Sequence, residues 1–287
     1  MKLVLSRKGF DSSYGGIPSP ILPDGRLISL PIPSRVDTFT LANINYPDVE
    51  TGRLISDISK GRFSNTTRVH LDPDLARPAG KRMPQWRPAL GQTGSAQSHL
   101  ANKGIGIGDV FLFFGWFREV EHQNGRWNYR KGAPDLHILF GWLEVADVLP
   151  IVTDREAAIQ KFPWIADHPH VASPDWYEDK LNTLYVASEK SRFCADSTFG
   201  AGRFKSNKAV LQLTKPGCSR SIWSLPKWFF PGERSPLSYH QNLLRWSLEE
   251  NSLTLKSVAK GQEFVLDSVE YPELESWVSS VIQEGCR

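Results

Sequence analysis

The sequence predicts an α+β fold, rich in strands arranged in mixed and antiparallel sheets, with a small barrel-like region and a C-terminal helix. Three observations predict it. Two long β-type runs, Val110 to Glu121 and Leu136 to Val148, carry the densest apolar stretches of the chain. The other strand-like segments do not alternate regularly with helical ones, which disfavours a doubly wound parallel sheet. Near the end, Leu274, Trp277, Val278, Val281 and Ile282 recur at helical spacing.

Taken in order, Lys2 to Ser6 reads as a first strand. The segment from Arg7 to Arg26 holds four glycines and three prolines, so it is irregular, with Pro23-Asp24-Gly25 as a turn. Arg26 to Ile32 alternates well enough for a strand, Asn43 to Ser64 gives no clear pattern, and Thr66 to Leu71 is β-branched and strand-like until Asp72-Pro73-Asp74 stops it. Arg77 to Arg87 is a basic, proline-rich surface loop, and Ser95 to Asn102 is a short helix. Asn124-Gly125 is a hairpin turn joining the first long run to Trp127–Lys131. The two long runs share a motif, L-F-F-G-W-F at Leu112 to Phe117 and I-L-F-G-W-L at Ile138 to Leu143. The interior glycines predict a bulge or sharp bend. Asp154 starts a helix to Lys161. Asn182 to Ser188 and Ala209 to Thr214 read as strands, Gly200 to Gly202 as a tight turn, and Trp223 to Pro231 as irregular. A hairpin across Lys260-Gly261 joins Leu253–Ala259 to Glu263–Leu266. The last helix spans Pro272 to Gln283, with Gly285 as its cap. The chain reads as one domain over 1–287, with a seam near Asp154 to Pro174 that would divide it into lobes 1–153 and 154–287.

Composition narrows the function classes. The 287 residues are 40% hydrophobic and 23% charged, which fits a globular chain with a sizeable core. Apolar runs stay well below the roughly 18–20 residues of a membrane span, and the N-terminus is too short for a secretory apolar segment, so no membrane partner is expected. Cys194, Cys218 and Cys286 form an odd, sparse set without a C-x-x-C pair. That excludes a cysteine-rich zinc module and predicts a reducing, cytoplasmic setting. A net charge of +3 is compatible with nucleic acid yet far below a dedicated duplex binder. The ten tryptophans serve a β-rich core or a base-stacking platform.

Chemistry concentrates in three places. Arg7-Lys8-Gly9-Phe10-Asp11-Ser12-Ser13-Tyr14-Gly15-Gly16 packs two cations, a carboxylate and three hydroxyls after a strand end. It either cradles a phosphate, with Arg7, Lys8 and Ser12 as contacts and Asp11 as a catalytic group, or is a glycine-rich turn with an Arg–Asp pair. It lacks the P-loop spacing. His70 and Asp72, at i and i+2, would share a face on a strand and act as a base with its orienter or as metal ligands, although Asp-Pro-Asp is equally a plain turn. His168 and His170 offer the same spacing in a loop, as acid–base groups, as metal ligands with Asp72 or Asp167, or as phosphate or base contacts; the H-E-x-x-H spacing that would argue for zinc is missing, so no metal site is assigned. Arg118, Arg203, Trp116 and Trp223 place cations and aromatic rings near turns, as phosphate or base contacts or as ordinary core and surface. G-I-G-I-G at Gly104 to Gly108 precedes a strand, so dinucleotide binding is not expected, and no cofactor is named.

The opening L-S-R-K-G-F-D-S-S-Y-G-G-I-P-S-P-I-L-P-D-G-R-L-I-S-L-P-I-P resembles the nucleotide-modification-associated domain family, the third of that named series. The segments G-D-V-F-L-F-F-G-W-F-R, H-P-H-V and N-T-L-Y-V-A are similar to it too, so the resemblance covers most of the chain. It implies a place beside enzymes that elaborate DNA bases, and it brings no defined reaction or catalytic set. Gly108 to Val148 also resembles PUA-like barrels, some of which read modified bases in an aromatic pocket; this is a likeness of fold only. Two functions follow as expectations: an enzyme acting on a nucleotide or DNA base, or a non-catalytic reader of modified bases. The expected partners are a nucleotide or DNA and the enzymes of a base-modification system.

Overall fold

The computed structural model describes residues 1–44, 46, 48–76, 82–194 and 199–287. It is a mixed α and β structure, as the sequence predicts. The strands are β1 (Lys2–Arg7), β2 (Ser19–Ile21), β3 (Ala89–Gln92), β4 (Val110–Gln123), β5 (Arg126–Tyr129), β6 (Leu136–Pro150), β7 (Thr183–Ala187), β8 (Ala201–Arg203), β9 (Ile222–Leu225), β10 (Trp246–Leu248), β11 (Leu253–Lys256) and β12 (Glu263–Asp267). The helices are α1 (Thr51–Ile58), α2 (Gly94–Asn102), α3 (Ile151–Lys161), α4 (Pro169–Ala172), α5 (Pro174–Tyr177) and α6 (Leu274–Cys286).

The main sheet runs β12-β1-β4-β6-β7-β3, with β2 and β5 on β4 and β8 on β6. The two long strands form its spine. β4 and β6 pair antiparallel, Val110 opposite Glu144 and Phe117 opposite Leu136, so the two F-G-W motifs lie against each other. The register shifts between Phe113 and Phe114, which is the bulge the interior glycines predict. A Cβ on Gly141 would lie 2.5 Å from Leu75 and 2.9 Å from the Gly202 carbonyl, so only glycine lets β8 and the Leu75 segment close over the strand. β1 lies parallel to β4 and antiparallel to β12. Its apolar Leu3, Val4 and Leu5 join the Phe111–Phe114 run in one buried core with Trp142, Trp223 and the inner face of α6. β9, β10 and β11 form a second, three-stranded sheet.

Several local expectations are corrected. The sheets are not closed into a barrel among the described residues: the main sheet runs open from β12 to β3. The predicted hairpin across Lys260-Gly261 does not form, because β11 pairs with β9 and β10 while β12 pairs with β1. Arg26–Ile32 and Thr66–Leu71 make only isolated bridges, such as Ile21 with Leu27 and Pro33 with Val69. Ala209–Leu211 is a 3-10 turn rather than a strand. Gly200–Gly202 runs into β8, and Ile222–Leu225 is a regular strand within the stretch expected to be irregular. α3 begins at Ile151, but Asp154 has non-helical angles at a kink and its Oδ1 accepts the Ala157 amide at 3.3 Å, so it caps the second segment. α6 runs through Gly285, whose missing Cβ would sit 2.6 Å from the Phe204 ring; the glycine serves close packing, not a cap. Of the predicted Arg77–Arg87 loop, residues 77–81 lie outside the described residues, as do 45 and 47 of the unpatterned segment. No described helix is long and apolar enough to cross a membrane.

Candidate active site

Four stretches far apart in sequence meet beside the carboxyl end of β1. Val69–Asp74 is laced between two others: the His70 amide bonds the Ile32 carbonyl at 2.9 Å, and the Asp74 amide bonds the Ala89 carbonyl at 2.9 Å. The Asp72–Pro73 peptide is cis. α4 brings the second stretch, with His168 as its N-cap accepting the His170 amide at 3.3 Å. β12 and the end of β1 bring Glu263 and Lys8.

The result is a buried polar cluster. His70 Nε2 and His170 Nε2 face each other at 3.2 Å. Asp72 lies 3.5 Å from His168 Nε2 and 4.0 Å from His170 Nε2. Its Oδ1 accepts the Gly91 amide at 2.7 Å. On the far side of each ring, His70 Nδ1 contacts Asp37 Oδ2 at 2.9 Å and His170 Nδ1 contacts Asn182 Oδ1 at 2.8 Å. Gly91 has to be glycine here: a Cβ would stand 2.1 Å from the His170 ring. The Trp176 ring stacks on His170 and tilts over His70, at centroid distances of 5.6 and 4.8 Å.

Lys8 links this cluster to Glu263, its ammonium 3.9 Å from Asp72 and 3.4 Å from Glu263. Gln92 donates to Glu263 at 2.6 Å. Burial pushes the Asp72 carboxyl up, but nearby cationic charge, Lys8 foremost, outweighs it and holds the carboxyl below its ordinary value. For Glu263 burial wins over Lys8, and the carboxyl is raised. Burial also lowers His168 to about 3 and His170 to about 4, so both rings are neutral at pH 7. Lys8 is therefore the cation that matters to Asp72.

These groups open into a cavity of about 510 Å3 lined by Arg7, Lys8, Gly9, Asp11, His70, Asp72, His170, Trp176, Tyr239, Glu263 and the first residues of α2. That volume lies within the usual range for small-molecule sites of about 300–1,000 Å3. The amino end of α2, Gly94 to Ala96, forms one wall, and such an end favours anions.

The remaining predicted residues divide. Arg7 lines the cavity, but its guanidinium bonds the Val258 and Ala259 carbonyls at 2.9 and 2.8 Å, bracing that loop. Asp11 at the rim closes a turn, its Oδ1 accepting the Ser13 and Tyr14 amides at 2.7 Å each. Arg203 stacks on Tyr46 and lines a separate cavity of about 60 Å3 that shares Gly9 and Asp72. Trp116, Arg118 and Ser12 lie away from the large cavity: Trp116 and Arg118 both hold Asp135, while Arg220 stacks on Trp116 and bonds Ser12. Trp223 is fully buried, its ring in the aromatic core and its Nε1 on His137 Nδ1 at 3.0 Å, which leaves no face for a base. Sequence reasoning missed Glu263, Trp176, Asp37, Asn182, Gln92 and Tyr239. The run G-Q-T-G-S, ending a strand and opening a helix, was the signal that could have marked the α2 wall.

The nucleotide modification associated domain 3 family matches residues 2–267. The chain belongs to that family. The match takes in every residue of the cavity, from Arg7 to Glu263. No curated protein and no solved structure matches the chain. Membership in this family places the protein in the setting of nucleotide modification; the chemistry has to come from the cavity.

Proposed function

We propose that this protein is an enzyme of a base-modification system that binds a nucleotide or nucleobase in the large cavity and alters it there. The observation that carries the reading is the convergence of Lys8, His70, Asp72, His170 and Glu263, from four separate stretches of the chain, on one hollow of nucleotide size. Buried ionisable groups with displaced proton affinities, gathered in a cleft, mark functional sites more often than structural ones. The family match supports the choice of ligand.

The cavity divides the work. The α2 amino end takes the phosphate, since its free amides and dipole attract an anion. Trp176 and Tyr239 present aromatic faces to a base. The His70–Asp72–His170 cluster is the reacting end. Glu263, with its raised carboxyl beside Lys8, exchanges a proton with the substrate.

Nucleosides from cells with and without the gene, compared by mass spectrometry, test the reading. A modified nucleoside should be present only with the gene, and Glu263→Gln should cut its formation by about 10²–10⁴-fold while nucleotide binding persists. Identical nucleoside profiles together with no calorimetric binding of any nucleotide would overturn it. A reader would bind and leave the profile unchanged.

A further inference from the structure

We infer that His70, Asp72 and His170 hold one divalent first-row transition-metal ion, with its open coordination positions turned into the cavity. The catalytic meaning of this site, though not the metal binding itself, rests on the functional reading above.

Hydrogen-bond accounting comes first. Asp37 offers His70 Nδ1 only acceptor oxygens, so the proton of that ring sits on Nδ1. Asn182 Nδ2 donates to the His170 carbonyl at 2.7 Å, which fixes the amide so that Oδ1 faces His170 Nδ1 at 2.8 Å. His170 therefore also carries its proton on Nδ1. Both Nε2 atoms are left with lone pairs, pointed at each other 3.2 Å apart. Two acceptors face to face need a positive centre between them.

The distances fit a metal. With bonds of about 2.0–2.1 Å, two nitrogens on one ion lie about 2.9 Å apart at a right angle and about 3.3 Å apart at the tetrahedral angle. The observed 3.2 Å falls between. The three ligand atoms lie within 4.8 Å of one another; reaching the tetrahedral spacing takes about 0.7 Å at the His170–Asp72 pair, now 4.0 Å apart, and up to about 1.5 Å at the His70–Asp72 pair.

Charge is the second, independent observation. Asp37, Asp72 and Glu263 are all buried, and the described residues bring one ammonium, Lys8, within 4.0 Å of the last two. Carboxylates taken out of water without matching cations are costly, and a divalent ion removes that imbalance.

The outer contacts complete the pattern. Each ligand is held from behind, His70 by Asp37, His170 by Asn182, and Asp72 by the Gly91 amide. His168 stands beside the last: its Nδ1 accepts the His170 amide, and its Nε2 lies 3.5 Å from Asp72 without a hydrogen bond. Such outer partners orient the ligands of metal sites. Two imidazoles and a carboxylate suit zinc, iron, cobalt or manganese rather than calcium or magnesium, and three protein ligands beside a cavity describe a site open to substrate.

Cobalt(II) titration of the chelator-treated full chain tests the assignment. The wild type should gain visible d–d absorption saturating at about one equivalent, without the thiolate charge-transfer band that Cys194 or Cys286 would give. His70→Ala and His170→Ala should each weaken cobalt at least about 100-fold, and Asn182→Ala about 10- to 100-fold, with unchanged circular dichroism. A wild type without the absorption, or wild-type affinity in both histidine variants, overturns the site; the first result stands whether or not the variants fold. Nucleotide calorimetry on the same samples separates the two ideas. Cobalt binding without nucleotide binding supports the metal site and counts against the enzyme reading. Nucleotide binding to a protein that takes no cobalt removes the metal site alone.

Discussion

Gly91→Ala probes the least forgiving contact in the cluster. The new Cβ would stand 2.1 Å from Cγ and Cδ2 of His170, whereas ordinary contact begins near 3.4 Å. The ring must retreat by about 1.3 Å, because Gly91 is held in β3 by its pairing with Leu184 and cannot yield as easily. That movement opens the 2.8 Å bond to Asn182 and misaligns the Nε2 pair. Overpacking costs about 1–3 kcal/mol and a stranded buried donor about 1–3 kcal/mol, so the loss is on the order of 3 kcal/mol. Urea denaturation followed by circular dichroism should show the midpoint falling by about 1 M or more. Turnover should fall about 100-fold, the usual effect of displacing a reacting group by about 1 Å. An unchanged midpoint would refute the packing argument. A lowered midpoint with full activity would refute the placement of His170 at the reacting end.

Two further perturbations address other parts of the structure. Trp176→Ala removes the aromatic wall over His70 and His170, and it should weaken nucleotide binding by about 1–3 kcal/mol in calorimetry while the thermal midpoint moves little; unchanged affinity would take Trp176 out of the binding face. His137 is buried and its Nδ1 accepts the Trp223 Nε1–H, so burial lowers it to about 3 from 6.5. The unfolded chain then binds a proton that the native ring refuses, so this stability is present above pH 6.5 and lost as pH falls toward 3. Between pH 7.5 and 5.5 the loss from this one ring is about 1.4 kcal/mol. Urea curves at the two pH values should show wild type losing that much more than His137→Gln; equal losses would mean that the ring is protonated in both states.

The spine of the fold was legible because its signals are local. Alternation, a hairpin Asn-Gly pair and apolar density all act within a few residues, and Val110–Gln123, Arg126–Tyr129 and Leu136–Pro150 follow them. Strand partners were less legible. Leu253–Lys256 and Glu263–Asp267 look like a hairpin, but Ser6 takes Glu263 as its partner from 257 residues away, a choice made by the core rather than by the turn. The site shows the same division. His70, Asp72, His168 and His170 were visible as paired ionisable residues in short motifs. Glu263 reads only as the start of a strand, because nothing in E-F-V-L reveals that the neighbouring strand leads into Lys8. Trp223 turns out to be a core ring and Trp116 carries Arg220 on its face, and aromatic content alone does not tell a core ring from a binding ring.

The cluster also explains why a cavity rich in ionisable groups is tolerated. Leaving buried carboxylates unpaired costs several kcal/mol each, a large fraction of a stability of about 5–15 kcal/mol. The chain limits that cost by fixing every polar atom it can from behind: Gly91 on Asp72, Asn182 on His170, Gln92 on Glu263, Asp37 on His70. These contacts are polar and do not add to the packing of the apolar core. Their common effect is to aim the Nε2 lone pairs and a carboxylate oxygen at one point. A residue set selected for folding alone would replace such a cluster with apolar side chains of similar volume, which is often neutral or stabilising. An outer layer that orients the cluster supports the proposal that the point it addresses is where the protein acts.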